Sequence, residues 1–146
     1  MMEGRVVHIG SDHGGYDLKC QIIEFLKEKG YSTNDLGTYD KSSVDYPEFG
    51  KKVARAVQKD KCPGIIICGT GIGISIAANR FTGIRAALCH STEYARLARE
   101  HNDANILALG GRFTGAFLAF KIAEVFLNTE FTGGRHLRRV KMIDNK

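Results

Sequence analysis

The chain has 146 residues, a formal charge of +5 and four cysteines, a length that fits one domain whose core stands without disulfides or a metal. Cys20, Cys62, Cys68 and Cys89 form no CxxC pair and have no metal-finger spacing, so free thiols are expected rather than a disulfide framework or a structural zinc site. No apolar stretch approaches a membrane span, and the opening "MMEGRVVHIG" lacks a secretory leader's apolar segment, so a soluble, cytoplasmic protein is expected.

Apolar runs alternate with helical patterns along the chain. "RVVHIG" (5–10) reads as a strand, and "YDLKCQIIEFLKEKG" (16–30), with Leu18, Ile22, Phe25 and Leu26 on one face, as an amphipathic helix stopped by Gly30. "YSTNDLG" (31–37) is a short second strand, and "YPEFGKKVARAVQKD" (46–60) a helix with Pro47 in its first turn. "GIIICG" (64–69) is a strand too apolar to have a wet face, followed by "IGISIAANRF" (72–81), expected as a short buried helix. "IRAALCH" (84–90) with "TEYARLAREHN" (92–102), and "NILALGG" (105–111) with "GAFLAFKIAEVFLN" (115–128), complete five strand–helix units. Continuous apolar strands in this alternation predict a parallel sheet covered on both faces. The tail adds a short basic helix. Arg135, Arg138, Arg139, Lys141 and Lys146 against Asp144 put +4 of the charge in the last twelve residues. Without interleaved aromatics, that tail fits a small anion or a solvated face better than nucleic acid.

Ligands of such open sheets sit outside the carboxyl ends of the strands. That rule selects the loops 10–15, 37–47, 68–73, 89–92 and 110–115. The loop "CGTGIG" (68–73) lacks the Lys-Ser/Thr pair of a phosphate-binding NTPase loop. "GSDHGG" (10–15) carries Asp12 where a dinucleotide fingerprint needs its central glycine, which puts a carboxylate where the pyrophosphate must approach. What remains is a turn whose backbone N–H groups, at the start of a helix, suit an enolate oxygen or a phosphate. The same field favours the thiolate of Cys68, as nucleophile or as base, with His101 as a candidate partner. Cys68 also reads as a small buried residue closing a strand, and His101 as a helix-end histidine complementing the dipole. Cys89, without a glycine turn, is expected to be inert. Asp45 reads as a helix N-cap or a site residue, His8 as structural, Arg138 as solvated, and Phe117 and Phe120 as core or subunit surface.

"GSDHGGYDLK", "DYPEFG", "ICGTGIGISIAANRFTGIRAALC", "REHNDANILALGGR" and "GGRHLRRV" together resemble the ribose-5-phosphate isomerase B family, which also includes galactose- and allose-6-phosphate isomerases. The likeness runs through nearly the whole chain. It implies an α/β fold, a three-layer α/β/α sandwich with a five-stranded parallel sheet of Rossmann-like type. It also implies one isomerase domain over 1–146, with the basic segment 133–146 contributing to a phosphate site. The activity implied is interconversion of ribose 5-phosphate and ribulose 5-phosphate through a cis-enediol, in the pentose phosphate pathway, with neither metal nor cofactor. Partners implied are the sugar phosphate and a second copy of the chain, as homodimer or homotetramer with active sites at the dimer interface, and neither nucleic acid nor membrane. Carried over by position, Cys68 is the base, the amides of Gly69, Gly71, Ile72 and Gly73 hold the enediolate with Thr70 nearby, and His101, beside Asn102, opens the sugar ring. Asp12 and Asp45 contact sugar hydroxyls, while His13, Arg112, Arg135 and Arg139 hold the phosphate. One branch of the family carries its base as a glutamate in the helix after the glycine turn. Ile74 stands there in this chain, which supports Cys68. A six-carbon sugar phosphate as substrate, or a binding module without chemistry, stays open at this point.

Overall fold

The computed structural model describes residues 5–145; Met1 to Gly4 of the expected domain, and Lys146 of its basic segment, lie outside the described residues. Strands β1 (Val6–Ser11), β2 (Ser32–Asp35), β3 (Gly64–Cys68), β4 (Ala86–Leu88) and β5 (Ile106–Gly110) form one sheet in the order β2-β1-β3-β5-β4. Every pairing is parallel. The intervening helices are α1 (Tyr16–Glu28), α2 (Tyr46–Asp60), α3 (Ile72–Ala78) and α4 (Thr92–Asn102), followed by α5 (Ala116–Asn128) and α6 (Arg135–Asp144).

The three central strands are buried on both sides because helices cover both. One face packs Val7, Ile9, Ile65, Ile67, Leu107 and Leu109 against α1, α4 and α5. The other packs Ile66, Ile106 and Ala108 against Phe49, Val53 and Val57 of α2 and Ile74 and Ala78 of α3. Since α1 leaves β1 toward one face and α3 leaves β3 toward the other, the loops at the carboxyl ends of these neighbouring strands diverge and open a crevice.

Local chemistry sets the helix ends. Ser91 caps α4 by accepting from the Tyr94 amide at 3.1 Å, and α1 closes with the Tyr31 amide donating to the Leu26 carbonyl over Gly30 at φ 91°. Two expectations need correction. The helix expected over 72–81 ends at Ala78, because the Asn79 side chain pairs with both backbone groups of Ala86 (2.9 and 2.7 Å). Nor is that helix buried all round: Ile72 and Ile76 are 53% and 61% exposed on its outer face. The edge strands β2 and β4 are also shorter than the expected runs, since each pairs on one side only.

Candidate active site

The site grows from the end of β3. Cys68 is buried, and the chain then turns at Gly71, whose φ of 79° belongs to the left-handed region. A Cβ there would also stand 2.6 Å from Leu88 Cδ1 and 2.8 Å from the Leu109 carbonyl carbon, so glycine is required twice over. The turn returns the Gly71 amide to Cys68, and its N–H donates to Sγ at 3.1 Å. Thr70 Oγ1 accepts from the Ile72 amide at 3.1 Å. These two amides are therefore engaged inside the turn, a correction to the expectation that all of them face the ligand. The Gly69, Thr70 and Gly73 N–H groups have no acceptor among the described residues. They are the donors available to an oxyanion.

Loop 12–15 lies against this turn. The Asp12 amide donates to the Ile67 carbonyl (3.2 Å), and a Cβ on Gly14 would meet the Gly69 nitrogen at 3.2 Å. Asp12 is buried, with Oδ1 accepting from the Gly15 amide at 3.1 Å, which leaves its other oxygen for a ligand. His13 Nδ1 accepts from the Val44 amide at 3.1 Å, so Nε2 carries the ring hydrogen and acts as a donor. Asp45 holds the N-cap position of α2 without making a capping bond; its exposed carboxylate is not consumed by the helix. The Arg112 amide donates to the Gly69 carbonyl at 3.0 Å, and its guanidinium folds over Gly69, 3.1 Å from where a Cβ would stand.

Sequence reasoning missed Tyr46. Its ring lies over the glycine turn, so a Cβ on Gly73 would meet Cε1 at 2.5 Å and the hydroxyl oxygen at 2.9 Å. The signal was present in "DYPEFG", but only the packing of α2 on α3 brings the ring there.

Four expected residues stand elsewhere. α4 runs back from the carboxyl end of β4 to the amino end of β5, a descent of about 15 Å over its eleven residues. His101 and Asn102 are at its foot, where Arg85, the residue before β4, donates from Nε to the Asn102 and Asp103 carbonyls (3.1 and 3.0 Å). α6 packs on that foot. Asp144 binds Arg85 Nη1 through both carboxylate oxygens at 2.9 Å, and His136 stacks on His101 with ring centroids 4.3 Å apart. Arg135 and Arg139 project from α6 into solvent. Within one chain, His101, Asn102, Arg135 and Arg139 therefore lie at the amino edge of the sheet and Cys68 at the carboxyl edge.

Of the residues expected to be inert or structural, Cys89 and His8 are buried. Burial pushes the Cys89 thiol up to about 11. His8 is buried between Asp60 (2.8 Å) and Asn34 (3.0 Å). Phe120 stacks on Phe25, whereas Phe117 is exposed.

A parallel α/β sheet with a buried thiol on a glycine turn at its topological switch point places the chain among the open α/β proteins that bind ligands beyond the carboxyl ends of their strands. Within that class, residues 7–143 match the Ribose/Galactose Isomerase family, and the chain belongs to it. Ribose-5-phosphate isomerase B of Escherichia coli is 46% identical over 138 residues, covering 94% of this chain and 93% of that protein. The structure of Clostridium thermocellum ribose-5-phosphate isomerase B is similar with a TM-score of 0.94 at 58% identity, over 95% of both chains. Ribose-5-phosphate isomerase B from Mycoplasma genitalium, solved with bound ribulose 5-phosphate, has a TM-score of 0.92 at 45% identity, over 97% of this chain and 95% of that one. Among the described residues, no helix is long and apolar enough to cross a membrane.

Proposed function

We propose that this chain is an aldose–ketose isomerase that interconverts ribose 5-phosphate and ribulose 5-phosphate through an enediolate, its own residues supplying acid, base and anion stabilisation. The observation that carries this is the Cys68 turn: a buried sulfur accepting from the Gly71 amide, beside three N–H groups without acceptors. A reaction that takes a proton from a carbon next to a carbonyl needs a base and donors aimed at the oxygen that becomes negative. The turn holds both. The relative with bound ribulose 5-phosphate favours the five-carbon substrate over galactose or allose phosphates, and over a module without chemistry.

In this reading the furanose ring opens as His101 gives a proton to the ring oxygen and accepts one from the O1 hydroxyl. Cys68 thiolate then removes the C2 proton, the electron pair moves onto O1, and the amides of Gly69 and Gly73, with that of Thr70, hold the enediolate. Cys68 returns the proton to C1 while the O2 hydroxyl proton passes to O1, leaving the ketose and the thiolate. Asp12, Asp45 and Asn102 bind hydroxyls. His13, through Nε2–H, and Arg112, Arg135 and Arg139, through paired charge-assisted bonds, hold the phosphate, so that the basic segment 133–146 serves the substrate.

Because the two groups of residues occupy opposite edges of one chain, we assign His101, Asn102, Arg135 and Arg139 of each site to a second copy in a twofold homodimer. Exposed apolar side chains support such packing: Ile76 on α3, Phe113 after β5 and Phe117 on α5. The function is tested by following ribose 5-phosphate by NMR in deuterated buffer containing EDTA. Ribulose 5-phosphate with deuterium at the reacting carbon is expected at the EDTA-free rate; no product and no exchange would refute the activity.

A further inference from the structure

We propose that His136 is a positioning residue for His101: its ring, stacked on that of His101, fixes the plane in which His101 meets the sugar, and it acts through His101 rather than on the substrate. This rests on the ring-opening role given to His101. Catalytic histidines are ordinarily oriented by a hydrogen bond to the nitrogen that does no chemistry. His101 has no such partner among the described residues. Its ordered neighbour is the His136 ring, 4.3 Å between centroids and 13° from parallel.

The chain fixes this contact from both sides. Before α6, the Thr132 amide and hydroxyl both donate to the Glu100 carbonyl (3.2 and 2.8 Å), one residue ahead of His101. Gly133 and Gly134 follow with φ of 68° and 57°, a reversal that side-chain-bearing residues resist, and it delivers His136 directly onto α4. At the other end Val140 is buried and Asp144 is clamped to Arg85, which itself holds the Asn102 carbonyl. Two anchors at the last turn of α4 thus leave the stacked ring little freedom to slide.

Charge around the pair favours a neutral partner ring. Burial first, then His101, Arg135 and Arg139, hold His136 below the ordinary histidine range. On α4, the nearby Arg99 is paired with Asp103 and Glu100 with Arg96, so neither offers His136 a counter-charge. A neutral, flat ring supports His101 without competing for its proton.

The test is a double-mutant cycle on the full-length protein with ribose 5-phosphate. His136→Ala is expected to lower kcat about tenfold, a fraction of what a proton-transfer group supplies, with KM changed less than about twofold. His136→Phe, which keeps a flat uncharged ring, is expected to restore kcat to within about threefold, and His136→Leu, equally bulky but not flat, to stay low. The double variant His101→Gln/His136→Ala should be no slower than His101→Gln alone, because a residue acting through another has nothing left to lose. Wild-type kcat in His136→Ala, or losses that multiply in the double variant, would overturn the proposal while leaving the role of His101 intact. Full turnover by His101→Gln would instead overturn the ring-opening assignment and this proposal with it.

Discussion

At the carboxyl edge of the sheet the candidate groups are short and held close to the backbone: Cys68 by the Gly71 amide, Asp12 by Gly15, His13 by Val44. At the amino edge they are longer and more peripheral, with Arg135 and Arg139 on an outer helix fastened mainly through Asp144, Val140 and the His101–His136 stack. The difference matches the C2 chemistry assigned to the Cys68 turn and the phosphate holding assigned to Arg135 and Arg139, although His101 at the amino edge is also assigned a proton transfer and His13 and Arg112 at the carboxyl edge are also assigned to the phosphate. Proton transfer at C2 and oxyanion stabilisation fail when the groups move by an ångström, so both sit on a strand end set by a close-packed core. Phosphate holding tolerates longer side chains, because its binding energy is shared by ground and transition states.

Substitutions at the two edges should therefore fail differently. The largest effect is expected for Cys68→Ala, with kcat falling by about two to four orders of magnitude and KM nearly unchanged in steady-state assays. Arg139→Ala comes next, with KM rising about tenfold and kcat within about threefold, the loss of a charge-assisted phosphate contact. A fall in kcat at constant KM would move Arg139 from holding the phosphate to the chemistry. The smallest effect belongs to Cys89→Ser, expected to keep kcat within about twofold because it carries no role in proton transfer. The same thiol offers a pH test. With its pKa pushed up to about 11 by burial, Cys89 is protonated at neutral pH and its alkylation should accelerate only as pH climbs toward that value. Ready alkylation of Cys89 at pH 7, read by mass spectrometry, would contradict its burial.

Much of the fold was legible because parallel strands buried on both faces leave an apolar record: Ile65, Ile66 and Ile67 cannot form a half-wet strand. The misreading of α3 has a physical cause. Ile72 and Ile76 are as apolar as Ile74, yet only Ile74 faces the core, and composition does not separate a core position from an exposed apolar one. The Cys68 turn was legible through its glycines, whose backbone demands are local. Tyr46 and His136 were not singled out, since both depend on helices meeting: α2 on α3, and α6 on α4 through the Gly133–Gly134 reversal. The position of His101 could have been foreseen. A helix that follows one parallel strand and precedes the next must end at the sheet's amino edge, opposite the turn that carries the thiol.

That opposition is the centre of the account, and subunit complementation tests it most directly. Cys68→Ala and His101→Gln, each nearly inactive alone, are mixed in equal amounts, unfolded and refolded together. If each site draws on two copies, half of the dimers are mixed and each has one intact site, so about a quarter of wild-type activity should return. A mixture no more active than its separate parents would show that Cys68 and His101 do not meet across a subunit boundary.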